Sequence, residues 1–327
     1  MNLILKIIKI FPPEASHLIA LYALKILHKF KLLGLLTTKP KHEKYAHCGL
    51  IFSNRLGTAA GLDKNGDFID CLGALGFGFI EVGTITPLPQ SGNPKPRVFR
   101  LFEENAVINR LGFNNKGVDH LVNNLKNKKY KGIVGVNIGA NKSSDGQQRI
   151  NDYVSCFVKV AKYCDYITIN ISSPNTPGLR NLHDHKNIIN LISSIEDQAI
   201  KLNYLKPIFL KISPDEPIDV IISIAEHVQN SKLTGLIISN TTINKEALKN
   251  ATYQDFDGGL SGSPLMEKST LLLEAISQEY PELPLIGVGG VMNKADFNKK
   301  LDAGASLVQI YTGFIIHGPS IVRNILN

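Results

Sequence analysis

From residue 50 onward, short apolar or β-branched runs alternate with longer stretches whose apolar positions recur at helical spacing. Eight of the runs read as strands: GTAAG (57–61), FIEVGT (79–84), IVGVNIG (133–139), YITINIS (166–172), IFLKIS (208–213), GLIISNT (235–241), PLIGVGG (284–290) and SLVQIYTG (306–313). The spacing between them predicts helices over 119–126, 153–163, 187–201, 218–228, 265–277 and 294–301. Strands that alternate with helices pair in parallel, and eight such repeats close on themselves. The expected fold is therefore α/β, a (β/α)8 TIM barrel, and a chain of 327 residues leaves room beside it for a small N-terminal helical extension.

Polar residues gather at one end of these strands. Lys64 follows the first; Thr84, Asn137, Asn170, Lys211 and Asn240 end the second to sixth. Gly289-Gly290 and Tyr311-Thr312 end the seventh and eighth. Singly, each Asn reads as a turn former or cap. Together they lie where barrels carry their chemistry, at the carboxyl ends of the strands. GVGG and YTG, with GGLSGSP (258–264), supply the close backbone approach that a phosphate group requires. A lysine inside FLKIS has few ways to avoid burial and so calls for a partner.

The N-terminus has another pattern. Leu3 to Phe11 is apolar but spans only roughly 15 Å as a helix before Pro12-Pro13, about half of a hydrocarbon core. After Pro13, His17, Lys25 and His28 share one arc of a helix, and Ile19, Ile26, Leu27 and Phe30 share the opposite one. Such a helix either lies in an anionic membrane interface or covers part of the core. Of the net charge of +8, residues 1–46 hold +6, from eight lysines against Glu14 and Glu43, and the remainder only +2. A body so close to neutral lacks the basic face that nucleic acid requires. The prolines interrupt the apolar region, and no small-residue cleavage site follows, so a secretory signal is not expected. Cys48, Cys71, Cys156 and Cys164 form no C-x-x-C pair, which disfavours zinc or a disulfide framework. His183-Asp184-His185 reads as a solvated loop with a helix cap, and no metal is assigned.

The stretch NISSPNTPGLR (170–180) has serines but no neighbouring histidine, so it is not a hydrolase triad. With AAGLDKNG (59–66), PRVFRL (96–101), INRLGFNN (108–115), GGLSG (258–262) and IGVGGV (286–291) it forms a series, in order along the chain, that resembles the dihydroorotate dehydrogenase family. The serine and the helical N-terminus resemble its quinone-dependent class 2. That resemblance implies FMN as cofactor, (S)-dihydroorotate as substrate, orotate as product in pyrimidine biosynthesis, and a membrane quinone as electron acceptor. It implies FMN contacts at Ala60, Gly61, Thr84, Asn137, Asn170, Lys211, Ser239, Gly262, Gly290, Tyr311 and Thr312. Substrate contacts would be Lys64, Asn109, Gly112, Phe113, Asn170, Asn175, Asn240 and Thr241, with Ser173 as base and Thr176, or a trapped water, as its proton relay. His17 and Arg100 would flank a quinone tunnel. Residues 1–46 would form the membrane-associating and quinone-tunnel part and 47–327 the FMN barrel, held peripherally at the cytoplasmic face of the inner membrane.

Three positions depart from the family pattern: Arg55 stands where Pro is common, Ser239 where Thr is, and Ser263 where Arg usually follows LSG. The rival readings are a soluble class 1 enzyme using fumarate or NAD, a flavin-dependent RNA-modifying barrel, and a non-catalytic membrane adaptor. Ser173 and the N-terminus speak against the first, the near-neutral body against the second, and the polar ring against the third.

Overall fold

The computed structural model describes residues 10–35, 40, 43–173 and 185–327; Asn175, Thr176, His183 and Asp184 lie outside them. Among the described residues, helix α1 (Pro13–Lys29) comes first, followed by a hairpin of β1 (Tyr45–His47) and β2 (Leu50–Phe52). Eight parallel strands then close a barrel: β3 (Leu56–Thr58), β4 (Phe79–Ile85), β7 (Ile133–Ile138), β8 (Tyr166–Asn170), β9 (Ile208–Lys211), β10 (Gly235–Ile238), β12 (Leu285–Val288) and β13 (Leu307–Ile310). β13 returns to β3 in the register Val308 to Leu56. All eight runs expected from the sequence are these strands. Nearly every strand residue is buried, because helices cover the outside and side chains fill the inside. That is why the strands read as unbroken apolar runs rather than as alternation.

The covering helices are α2 (Ile69–Gly73), α3 (Val118–Asn127), α4 (Gly146–Val160), α5 (His185–Lys201), α6 (Ile218–Gln229), α7 (Met266–Glu279), α8 (Lys294–Asp302), α9 (Thr312–His317) and α10 (Ser320–Leu326). β1 and β2 plug the lower end. Phe52 meets Phe79 edge-on, with ring centres 5.4 Å apart, and packs in one cluster with Tyr166, Phe209, Ile237, Ile286 and Leu307. Arg55 belongs to this plug. Its guanidinium donates to the carbonyls of Ser306 (2.7 Å) and Ala305 (2.9 Å) and lies over the Tyr45 ring, which accounts for an arginine at a position where proline is common.

A second sheet, absent from the sequence reading, sits above the barrel. β5 (Val98–Leu101), β6 (Ala106–Asn109) and β11 (Gly259–Gly262) pair antiparallel, with β6 in the middle. They carry PRVFRL, INRLGFNN and GGLSG to one wall.

Helix α1 docks against this wall with His17 of its polar arc turned toward the barrel and Leu27 of its apolar arc packed on the core. His17 turns inward and its Nε2 donates to the Leu62 carbonyl (2.8 Å), while Lys25 stays exposed with its Nζ donating to the carbonyl of Asp67 (2.9 Å). Leu21 and Leu24 join the barrel core. Leu18, Ile19, Tyr22, Ile26 and Phe30 remain exposed. The helix therefore covers the core with one side and presents an apolar row with the other, so the two readings left open by its periodicity are not exclusive.

Candidate active site

The polar residues at the strand ends converge on one cavity at the upper mouth of the barrel, with about 990 Å³ of atom-free space, mouth included. Ala60, Gly61, Thr84, Asn170, Lys211, Ser239, Gly262, Gly290, Tyr311 and Thr312 line it. So do Lys64, Asn109, Gly112, Phe113, Asn240, Thr241 and Ser173. Of the described residues expected there, Asn137 alone does not reach the surface of the cavity. It is fully buried beneath, where its Oδ1 accepts from Thr84 Oγ1 (2.6 Å) and Asn170 Nδ2 (3.1 Å).

Those bonds belong to a chain that starts at a residue the sequence reading passed over. Glu81, in the middle of β4, has no exposed surface and accepts four hydrogen bonds. Asn137 Nδ2 reaches Oε1 (2.9 Å); Tyr166 OH (2.9 Å), Thr168 Oγ1 (3.1 Å) and Gln309 Nε2 (2.6 Å) reach Oε2. A carboxylate only accepts, so Asn137 must turn its amino group down and its carbonyl up. Asn170 then presents its amino group to Asn137 and Thr84, and its Oδ1 accepts from Ser172 Oγ (2.8 Å). Ser172 Oγ in turn accepts from Asn240 Nδ2 (2.9 Å). The polarity of three cavity-floor amides thus follows from one buried carboxylate. A charged residue inside the apolar run FIEVGT was the available signal.

Lys211 is 5% exposed, and among the described residues no hydrogen-bond acceptor meets its ammonium. Burial pushes its pKa down, and the charge of Glu81 opposes that shift. Lys64 donates to the Gly61 carbonyl (3.2 Å) and is pushed down to about 8, chiefly by burial. Thr241 Oγ1 and Gln309 Oε1 are buried without a hydrogen-bond partner among the described residues. A ligand with negative charge and several donors and acceptors would satisfy all of these groups.

The side of the cavity nearest β12 fits a phosphate. Gly262 and Gly290 both have positive φ, +101° and +85°. A Cβ on Gly290 would strike the backbone of Met266, and one on Gly262 the carbonyl of Asn105. Only glycine fits either position, and the lack of a side chain lets an anion approach the backbone closely beside the first turn of α7. Thr312 Oγ1 donates to Ser261 Oγ (2.8 Å) across the same corner. Ser239 is 1% exposed, and its hydroxyl donates to the Asn240 carbonyl (3.0 Å), so the serine substitution retains a hydroxyl at the cavity. Nothing in the structure explains Ser263.

A second, mostly apolar cavity of about 1760 Å³, mouth included, opens between α1, β5, β6 and α9. His17 and Arg100 line it, with Leu21, Leu24, Val98, Val107 and Phe314. Arg100 donates to the Phe11 carbonyl (2.6 Å) and to Ser16 Oγ (3.1 Å). His17 is pushed down to about 4, by burial first and by the charge of Lys64 second. Lys64, Leu111 and Tyr311 line both cavities and form the partition between them.

Comparison with known proteins agrees with this architecture. Residues 44–327 match the family model described as dihydroorotate dehydrogenase. A dihydroorotate dehydrogenase (quinone) from Saccharophagus degradans is 48% identical over 314 residues, covering 94% of this chain and 93% of that protein. One from Marinobacter nauticus is 46% identical, covering 95% and 93%. The crystal structure of DHODH from Eimeria tenella in complex with ferulenol superposes with a TM-score of 0.84 at 33% identity, covering 96% of this chain and 89% of that one. With a family match over nearly the whole barrel, relatives of almost the same length, and a polar cavity built from the strand ends, the chain belongs to the dihydroorotate dehydrogenase family.

Proposed function

We propose that this protein oxidises (S)-dihydroorotate to orotate in pyrimidine biosynthesis, with FMN in the polar cavity and a membrane quinone in the apolar one. The observation that carries the reading is the partition: a polar, cation-bearing cavity and an apolar cavity share Lys64, Leu111 and Tyr311 as a common wall. Two half-reactions that never mix their reactants need two chambers of this kind, close enough for electrons to pass between them.

The glycine corner at Gly262 and Gly290 would hold the FMN phosphate, with Thr312 beside it. Ala60, Gly61, Thr84, Asn137, Asn170, Ser239 and Tyr311 would hold the rest. When bound, FMN supplies the acceptor for the hydride of the substrate. Lys211, when protonated, would place a positive charge in a buried site, where it would stabilise an acceptor that gains negative charge. Lys64 attracts the substrate carboxylate. Asn109, Asn170, Asn240 and, by the family pattern, Asn175 offer donors and acceptors to the amide edges of the ring. Because Glu81 sets which way Asn170 and Asn240 face, these amides meet the substrate without first having to reorient.

Ser173 is 5% exposed at the cavity surface and takes the carbon-bound proton in this reading. Its hydroxyl is a weak base unless a hydrogen-bonded chain drains its own proton, the part assigned to Thr176 or a water. On the other side of the partition, His17 stays neutral at physiological pH, which suits a chamber for an uncharged quinone. Residues 1–46 then serve as the membrane-associating, quinone-guiding part and 47–327 as the FMN barrel. Among the described residues no helix is long and apolar enough to cross a membrane. The exposed row on α1, flanked by lysines, suits peripheral attachment to an anionic cytoplasmic surface.

The deciding experiment reduces the purified protein anaerobically with dihydroorotate and follows flavin absorbance while quinone, fumarate or NAD is added. Reoxidation by quinone is expected. Fast reoxidation by fumarate or NAD alone would overturn the acceptor assignment, and a colourless protein would overturn the cofactor.

A further inference from the structure

Lys300, on α8, has no exposed surface. Its ammonium donates to Ser269 Oγ (2.6 Å) and Thr270 Oγ1 (2.8 Å), both on the first turns of α7. Those hydroxyls are themselves committed to carbonyls: Thr270 to Met266 (2.6 Å), Ser269 to Leu265 (2.7 Å) and Gly289 (3.2 Å). Among the described residues no carboxylate lies within ion-pair distance of Lys300. Asp296, one turn earlier on α8, favours its charge only from a distance, and burial pushes the ammonium down to about 7.

An ammonium is among the costliest groups to bury without an anion, and a methionine of similar volume would fill this space without that cost. The charge therefore calls for a counterpart. One hydroxyl away, beyond Ser269, stands Gly289 of the glycine corner, and the first turn of α7 that Lys300 grips is the wall against which a Gly290 Cβ would collide.

We propose that Lys300 is the buried counter-charge of the flavin phosphate, acting through Ser269 and the first turn of α7 without touching the ligand. The inference rests on the FMN reading above and makes Lys300 a positioning residue rather than a catalytic one. Before the ligand binds, the ammonium is unmatched; a dianionic phosphate in the corner completes the pair across a dry, low-dielectric wall, where charges interact far more strongly than in water.

The test titrates flavin-free protein with FMN and with riboflavin, which lacks the phosphate, for the wild type and Lys300→Met. Lys300→Met is expected to weaken FMN binding about 10- to 100-fold, the effect of one partly screened charge pair. Riboflavin binding should change by less than about threefold. Without flavin, the variant should melt at or above the wild-type temperature, because an uncompensated charge has been removed. Equal losses for FMN and riboflavin, unchanged FMN binding, or a variant that fails to fold would each overturn the proposal. Failure of the wild type to bind FMN at all would instead overturn the cofactor reading on which it rests.

Discussion

Replacing Glu81 by Gln changes no shape but removes the acceptor that sets the direction of the cavity floor. The amide oxygen can still serve Tyr166, Thr168 and Gln309, but its NH2 then faces the NH2 of Asn137. Turning Asn137 over only moves the conflict upward, to the amino group of Asn170. One buried donor is left unmet whichever way the chain settles, at a cost of about 1–3 kcal/mol. Lys211 also loses the negative charge that opposes the effect of its burial, at a further cost while it stays ionised. Lys211 can escape part of this by shedding its proton. We therefore expect a loss of about 1–3 kcal/mol from the unmet donor, with slower flavin reduction because Lys211 is then partly neutral. The chain has no tryptophan, so unfolding in urea is best followed by far-ultraviolet circular dichroism, and reduction by anaerobic stopped flow. Stability within about 0.5 kcal/mol of wild type, together with an unchanged reduction rate, would refute the claim that this carboxylate organises the site.

Ser173→Ala should retain bound FMN and slow flavin reduction by dihydroorotate roughly 10²- to 10⁴-fold; reduction at the wild-type rate would show that another group takes the proton. Lys64 has a pKa of about 8, below the ordinary 10.5, so its charge in the ligand-free protein is lost as pH rises through 8. Orotate binding, titrated by flavin absorbance, should accordingly weaken above that pH in the wild type and show no such step in Lys64→Met. Exchanging Ile19 and Phe30 for Ser should reduce co-sedimentation with anionic vesicles at least several-fold while leaving flavin reduction unchanged, since both side chains project into solvent. Vesicle binding at the wild-type level would rule out the apolar row on α1 as an attachment surface.

The barrel was legible in the sequence because strands buried on both faces become contiguous apolar runs, and five of its helices lie close to where their spacing puts them. Helix α4 shows the limit. It begins at Gly146 rather than near Tyr153, because its first turns bury polar groups that the apolar pattern does not register. Arg149 donates to the Ser144 carbonyl there, and Asp152 accepts from Ser144 and Asn141. β5, β6 and β11 escaped the strand-helix alternation because they pair antiparallel outside the barrel, and the Gly259–Asn109 pairing joins positions far apart in the chain.

The strand ends of the candidate site could be read as positions, since period and turn residues mark where each strand stops. What they do to one another could not. Glu81 draws its donors from β7, β8 and β13, Lys300 grips α7 from α8, and His17 faces the barrel rather than lipid. By itself the sequence determined which segments are strands and helices, where the polar ends lie and how charge divides along the chain, because these depend on spacing among near neighbours. Only the tertiary structure decided which amide faces which, where two chambers share a wall, and which buried charge lacks a partner. Hydrogen bonds and desolvation act over a few ångströms of space, and barrel closure brings within that range residues whose order along the chain carries no record of their contact.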